Sequence, residues 1–183
     1  GLPFLRYSDF VTVERRRQIE AQVARLPFDE LRGFVVDGLA IGEQAYAGTL
    51  RFYARGDLNG EPDGELVLRR YVEAALLTAE ATKMALRQGR YDVVVTHHGI
   101  YVPQGVIGEV CRKHGVRLVS WHPAYRRHRF IFSHGDTYHR TIVSEPTSAW
   151  ENIDWSKEIE AETLRYLNSR WYGTDDWVQF HRN

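Results

Sequence analysis

Residues Tyr91 to Gly105 read YDVVVTHHGIYVPQG, a β-branched run that ends in two histidines and a glycine turn. The valines and threonine favour a strand, and Gly99, Pro103 and Gly105 punctuate a loop. The following stretch, Gln104 to His114, has helical spacing, and Val116 to Trp121 reads as a second buried strand. Strand, helix and strand within so short a span make a β-α-β unit. In an open α/β sheet, ligands bind beyond the carboxyl ends of parallel strands. Those ends carry His97 and His98 on one strand and His122 and Pro123 on the next.

The pattern outside this unit is mostly helical. Thr12 to Leu26 places Ile19, Val23 and Leu26 on one face, with Pro27 as a stop. Asp29 to Arg55 reads as helical and packed despite its glycines, and Gly56 to Gly64 as an exposed loop. Leu66 to Arg87 repeats Leu68, Val72, Ala75, Ala79 and Leu86 at close to helical period, with Gly89 as its cap. Beyond Ala124, two short strands are predicted, Arg129 to Ser133 and Arg140 to Ser144, around a Gly135-Asp136 turn. A last amphipathic helix runs from Ser156 to Tyr172.

At 183 residues the chain fits a single domain. Lys and Arg balance Asp and Glu at 24 each, so no overall basic field points to nucleic acid. No apolar run reaches the length of a bilayer span, and the opening residues lack the apolar core of a signal peptide. The one cysteine, Cys111, sits among valines in a helical stretch and reads as a core thiol, which fits a reducing compartment. The chain opens on Gly1 and its one methionine is Met84. Helices outnumber strands, and a parallel sheet needs cover on both faces. The expectation is a piece of a longer protein, a Rossmann-like three-layer α/β domain with a short parallel sheet, lacking its first strand.

Each candidate residue has a competing structural reading. While a strand persists, His97 and His98 point to opposite faces, so they are not expected to share one metal. His98, nearer the loop, is the candidate general base, with a hydrogen-bonded structural histidine as the alternative. His97, Tyr101 and Gln104 would line the ligand side, where the helix beginning near Gln104 and Gly105 offers free N–H groups to an anion, although there is no GxGxxG fingerprint. HPAYRRHR, from His122 to Arg129, is a local basic patch whose arginines Arg126, Arg127 and Arg129 could grip a diphosphate or an acidic sugar, with Tyr125 and His122 as further substrate-binding candidates and a solvated basic loop as the alternative. SHGDTYHR adds His134, Asp136 and His139. These three with His122 could be drawn as a metal set, but no HExxH-like signature supports it and no metal is assigned. Ser133 with His and Asp lacks the G-x-S-x-G elbow of a hydrolase nucleophile.

The segment from Tyr91 to Thr141, with AWENIDW at Ala149 to Trp155 and YLNSRWYGTDDW at Tyr166 to Trp177, resembles the amino-terminal portion of bacterial glycosyltransferase-like proteins of capsular and surface polysaccharide biosynthesis. The more specific parts are Tyr101, Val102, Pro103 and Gly105, the DTYH segment from Asp136 to His139, and the WEN segment from Trp150 to Asn152. The resemblance implies a GT-B architecture of two facing Rossmann-like domains. Residues 1 to 183 would be the acceptor-side domain, with 150 to 183 leading toward a second domain that holds most of the nucleotide-sugar site. It implies a carbohydrate or lipid-linked carbohydrate acceptor, a nucleotide sugar as substrate with no cofactor, and a cytoplasmic location, with the inner face of the membrane as the variant. His98 would then be base or acceptor contact, with Tyr101, Arg126, Arg127 and Asp136 lining the cleft. The competing classes are a non-catalytic Rossmann-like binding module and a histidine-metal hydrolase.

Overall fold

The computed structural model describes residues 4–124 and 128–174. Four helices precede the β-α-β unit, α1 (Val13–Ala24), α2 (Phe28–Leu31), α3 (Ile41–Tyr53) and α4 (Gly64–Gln88), and its first strand, β1 (Val93–His97), follows them. Helix α5 (Gln104–Lys113) crosses over to β2 (Arg117–Pro123), followed by β3 (Phe130–His134), α6 (Tyr138–Thr141) and α7 (Lys157–Tyr172). Single 3₁₀ turns occupy Tyr7–Asp9 and Thr147–Ala149. The architecture is mixed α/β, compatible with a Rossmann-like fold.

The β-α-β unit forms as its residue pattern dictates. β1 and β2 pair in parallel, with Thr96 opposite Ser120 and His97 opposite Trp121. β3 then joins β2 antiparallel, with Trp121 opposite Phe132 and Pro123 opposite Phe130, so the sheet is mixed rather than purely parallel. The short loop between β2 and β3 allows only the antiparallel return, because a parallel neighbour needs a longer crossover.

Helix α4 is the spine of the core. Its Leu68, Val72, Ala75 and Ala79 are fully or almost fully buried against Ile19 and Val23 of α1, Ile41 and Ala45 of α3, and Val106 and Val110 of α5. Thr12 starts α1 by accepting the Arg15 N–H at 3.1 Å, and Arg15 reaches Glu80 of α4 at 2.9 Å. The 29–55 stretch divides into α2, a turn closed by the Val36–Leu39 bridge, and α3. Two of its glycines lie inside α3 at close approaches: a Cβ on Gly42 would run into the Leu31 carbonyl, and one on Gly48 would meet the Tyr71 ring at 2.7 Å. Helix propensity yields there to the spacing between neighbouring helices.

Three expectations need correction. Among the described residues the sheet is covered on one face only: α5 packs on β1 and β2, whereas Val95 and Phe132, on the other face, are 59% and 62% exposed. Among the described residues there are therefore two layers, not three. The segment expected as a strand at Arg140 to Ser144 instead begins within α6. Its Thr137 has extended angles and accepts the His139 N–H through its hydroxyl, while Asp136 Oδ1 accepts the Thr137 N–H at 2.7 Å, a side-chain arrangement that starts a helix. Gly89 follows α4 in an extended conformation (φ −119°) rather than the left-handed one expected of a glycine cap. Helix α7, with Ser156 as its cap, buries no residue, and Trp171 is 83% exposed. Among the described residues, no helix is long and apolar enough to cross a membrane.

The connection from β1 to α5 depends on Gly99, at φ +72°. A Cβ there would sit 2.5 Å from Ser120 Oγ and 3.1 Å from Thr137 Cβ. Gly115 is also left-handed, at φ +68°, but open space surrounds it. Gly115→Ala is expected to cost about 1 kcal/mol, the left-handed penalty alone. Gly99→Ala is expected to cost roughly 2 kcal/mol or more, because a steric collision is added to the same penalty. Urea unfolding of the two variants measures the difference, and equal losses would show that the β1–α5 turn is not packed as described.

Candidate functional site

Strand β1 stops at His97 because the chain turns sharply at the next residue. His98 has φ +64°, and the Gly99 N–H donates to the His97 carbonyl at 2.7 Å, closing a three-residue turn in the left-handed sense. A non-glycine residue held there costs on the order of 1–3 kcal/mol, and such strain persists only where surroundings enforce it. The enforcement is visible. The His98 N–H donates to the Trp121 carbonyl at 3.0 Å, extending the parallel ladder by one bond, and the buried Thr137 hydroxyl donates to the His98 carbonyl at 2.6 Å. Tyr101 is left-handed as well, at φ +69°. Its carbonyl accepts the Gly105 N–H at 2.8 Å and leads the chain into α5.

This turn changes the geometry expected from strand alternation. His97 and His98 do not diverge: their ring centroids are 4.0 Å apart. The His122 ring lies 4.1 Å from that of His98 and stacks at 5.5 Å on that of His97. The argument that the pair could not serve one centre fails because the strand has already ended at the second histidine. The His139 and Tyr101 rings each lie 6.2 Å from that of His98, and Tyr138 packs between His122 (5.2 Å) and His139 (4.0 Å). Trp121 tilts against His97 at 4.7 Å.

The site thus gathers His97, His98, Tyr101, His122 and His139 from the expected residues, and adds Trp121, Tyr138 and Arg51. Tyr138 stood beside His139 in the DTYH segment and could have been named with it. Arg51 could not: it comes from α3, with its guanidinium 5.0 Å from the Tyr101 ring centre, and no local pattern connects α3 to this loop.

Other expected residues have different places. His134 pairs with Val119, two rungs back from the Trp121–Phe132 rung, toward the opposite end of the sheet, and is exposed. Asp136 is held by Arg112 at 3.2 Å and Arg140 at 3.5 Å, which ties α6 to α5. Gln104 opens α5 and is half-buried. The metal set drawn through His134 and Asp136 is therefore not the grouping that forms; among the described residues, the grouping with ligand spacing is His97, His98 and His122. Ser133 is buried and donates to the Asp136 carbonyl at 2.7 Å, so it is a turn residue and not a nucleophile. Cys111 is buried in α5, and burial pushes its thiol pKa up. Tyr125, Arg126 and Arg127 lie outside the described residues.

The electrostatics follow from crowding imidazoles together. Loss of water, then the neighbouring His122, His97, Arg51 and His139, push the His98 pKa down to about 4. His97 is lowered by desolvation, then by His122 and Arg51, and His139 by desolvation, then by His122. These three rings are neutral near pH 7 and present lone pairs rather than charge. Among the described residues, the buried side-chain atoms without a hydrogen-bond partner are His98 Nδ1, Thr96 Oγ1 and Ser120 Oγ. Thr96 and Ser120 face each other across the β1–β2 pair just below the turn. Buried polar groups are normally satisfied, and of the three His98 Nδ1 is the one whose ring stands in the histidine cluster, where a polar ligand would satisfy it.

A pH dependence follows with a definite sign. The unfolded chain takes up a proton at His98 near the ordinary value of 6.5, and the folded ring refuses it until about pH 4. Stability contributed by neutral His98 is complete above about 6.5 and is lost as pH falls toward 4. With EDTA present, the stability advantage of the native protein over His98→Gln should shrink on acidification across this range. Parallel stability curves for the two proteins in urea would show that His98 titrates normally.

No family model matches the chain, and neither does any curated protein or solved structure.

Proposed function

We propose that the chain is the acceptor-side domain of a GT-B glycosyltransferase of capsular or surface polysaccharide biosynthesis, and that a sugar hydroxyl docks at the histidine-lined edge of the sheet. The observation that carries this reading is the convergence of His97, His98, His122 and His139 at the carboxyl edge of the parallel β1–β2 pair. That edge is where open α/β sheets bind ligands. The segments that form it, YDVVVTHH and DTYH, are also those that carry the resemblance to the capsule-associated transferases.

The chemistry suits a carbohydrate. Neutral imidazoles accept hydrogen bonds from hydroxyl groups, and Trp121, Tyr101 and Tyr138 offer ring faces to the apolar side of a sugar. Arg51 supplies a fixed positive charge beside the rings for a phosphate or a sugar carboxylate. His98 contacts the reacting oxygen. A ring whose pKa is about 4 orients a hydroxyl and accepts its hydrogen bond, but is a weak base at neutral pH. Its removal is therefore expected near the lower end of general-base effects. The nucleotide-sugar donor would be bound mainly by a second domain, in the cytoplasm.

Saturation-transfer NMR with oligosaccharide fragments of surface polysaccharides tests the reading on the chain itself. Binding is expected, weakened about 10-fold in His98→Gln, and transfer by a form carrying the donor domain should fall about 10²-fold. A folded protein that binds none of a broad oligosaccharide panel would contradict the acceptor role, and binding that never leads to transfer would make the chain a binding module.

A further inference from the structure

We propose that His97, His98 and His122 form a binding site for a divalent transition metal of the zinc type, with one coordination position left open toward Tyr101 and His139. One ring nitrogen from each of the three residues lies within 4.8 Å of the others. Tetrahedral zinc with nitrogen ligands at 2.0–2.1 Å requires nitrogens about 3.4 Å apart, so the rings need to close by roughly 1.4 Å at most, within the reach of small side-chain rotations.

Three further observations point the same way. His98 Nδ1 is buried and has no hydrogen-bond partner, a state that buried polar atoms rarely keep. A cation bound there would satisfy it. His122 Nδ1 lies 2.5 Å from the Pro123 carbonyl, and since a carbonyl only accepts, this nitrogen carries the proton and Nε2 keeps the free lone pair. Ligating histidines characteristically donate their second N–H to a backbone carbonyl in this way, which fixes tautomer and ring direction. The left-handed His98 turn is the third. A glycine would adopt φ +64° without strain, so a turn role alone gives no reason for a histidine there, whereas a ligand role does.

The donor set also selects the cation. Three imidazoles with no carboxylate suit zinc, cobalt, nickel or copper and disfavour magnesium and calcium, which prefer oxygen. Three protein nitrogens leave a fourth position free, the arrangement of catalytic rather than structural zinc sites. A substrate oxygen entering that position would be polarised by the cation, and His98 would then act as a ligand rather than as the proton acceptor. This goes beyond the transfer reading and does not need it, because metal binding requires no sugar.

The test starts from protein stripped with EDTA and desalted. Zinc is titrated in and bound metal is counted by elemental analysis, while cobalt in its place reports four-coordination through its visible absorption. One equivalent per chain is expected, at micromolar affinity or tighter, with a rise in Tm. His98→Gly, which relaxes the turn and should fold, and His122→Gln should each weaken zinc binding at least 100-fold, and His134→Gln should leave it unchanged. Failure of the folded native protein to retain zinc or cobalt would overturn the proposal, as would native-like binding in both His98→Gly and His122→Gln. A stoichiometric cation in a protein that transfers no sugar would uphold this site and remove the transferase reading alone.

Discussion

The backbone of His98 is the constraint on which the candidate site depends. Its N–H is bound to the carbonyl of Trp121 in the next strand, and its carbonyl is bound by the hydroxyl of Thr137 at the head of α6. Those two bonds hold a non-glycine residue at φ +64°. They also join three parts of the chain, the end of β1, the end of β2 and the start of α6, at one point. Each part brings imidazoles: His97 and His98, then His122, then His139. The Thr137 bond is the direct link between α6 and the His98 turn, and it sets His139 and Tyr138 beside the other rings.

The supports around this point are mostly polar and local, whereas the core that carries them is helical and apolar. Buried α4 packs against α1, α3 and α5, and α5 in turn presses on β1 and β2. Arg112 of α5 and Arg140 of α6 both hold Asp136, so the loop preceding α6 is tied to the helix that follows the histidine turn. Half-exposed ion pairs of this sort contribute little to stability individually. Here their effect is positional, since they fix where Thr137 can reach.

The β-α-β unit was readable from sequence because its signals are local: a β-branched run, a glycine turn, helical spacing, then a second apolar strand. The long helix α4 was readable for the same reason. The side-chain geometry of the histidine pair was not. Period-two alternation separates neighbours only while a strand continues, and nothing in THHG states at which residue the strand stops. The sequence around Gly135-Asp136 reads as a turn before a strand at Arg140 to Ser144, with β-branched Thr141, Ile142 and Val143, yet Asp136 and Thr137 form a capping arrangement that starts a helix. Arg51 was invisible because its approach to Tyr101 depends on α3 docking beside the loop, a tertiary fact with no counterpart in local pattern.

The convergence of imidazoles around His98 is the central claim, and long-range ¹H–¹⁵N NMR of the histidine rings addresses it most directly. At pH 6, where an ordinary imidazole is mostly protonated, His98 is expected to give the spectrum of a single neutral tautomer. One equivalent of zinc should then move ring nitrogens of His97, His98 and His122 together. A His98 ring that titrates near pH 6.5, with zinc moving none or only one of the three rings, would contradict both the crowding and the common centre.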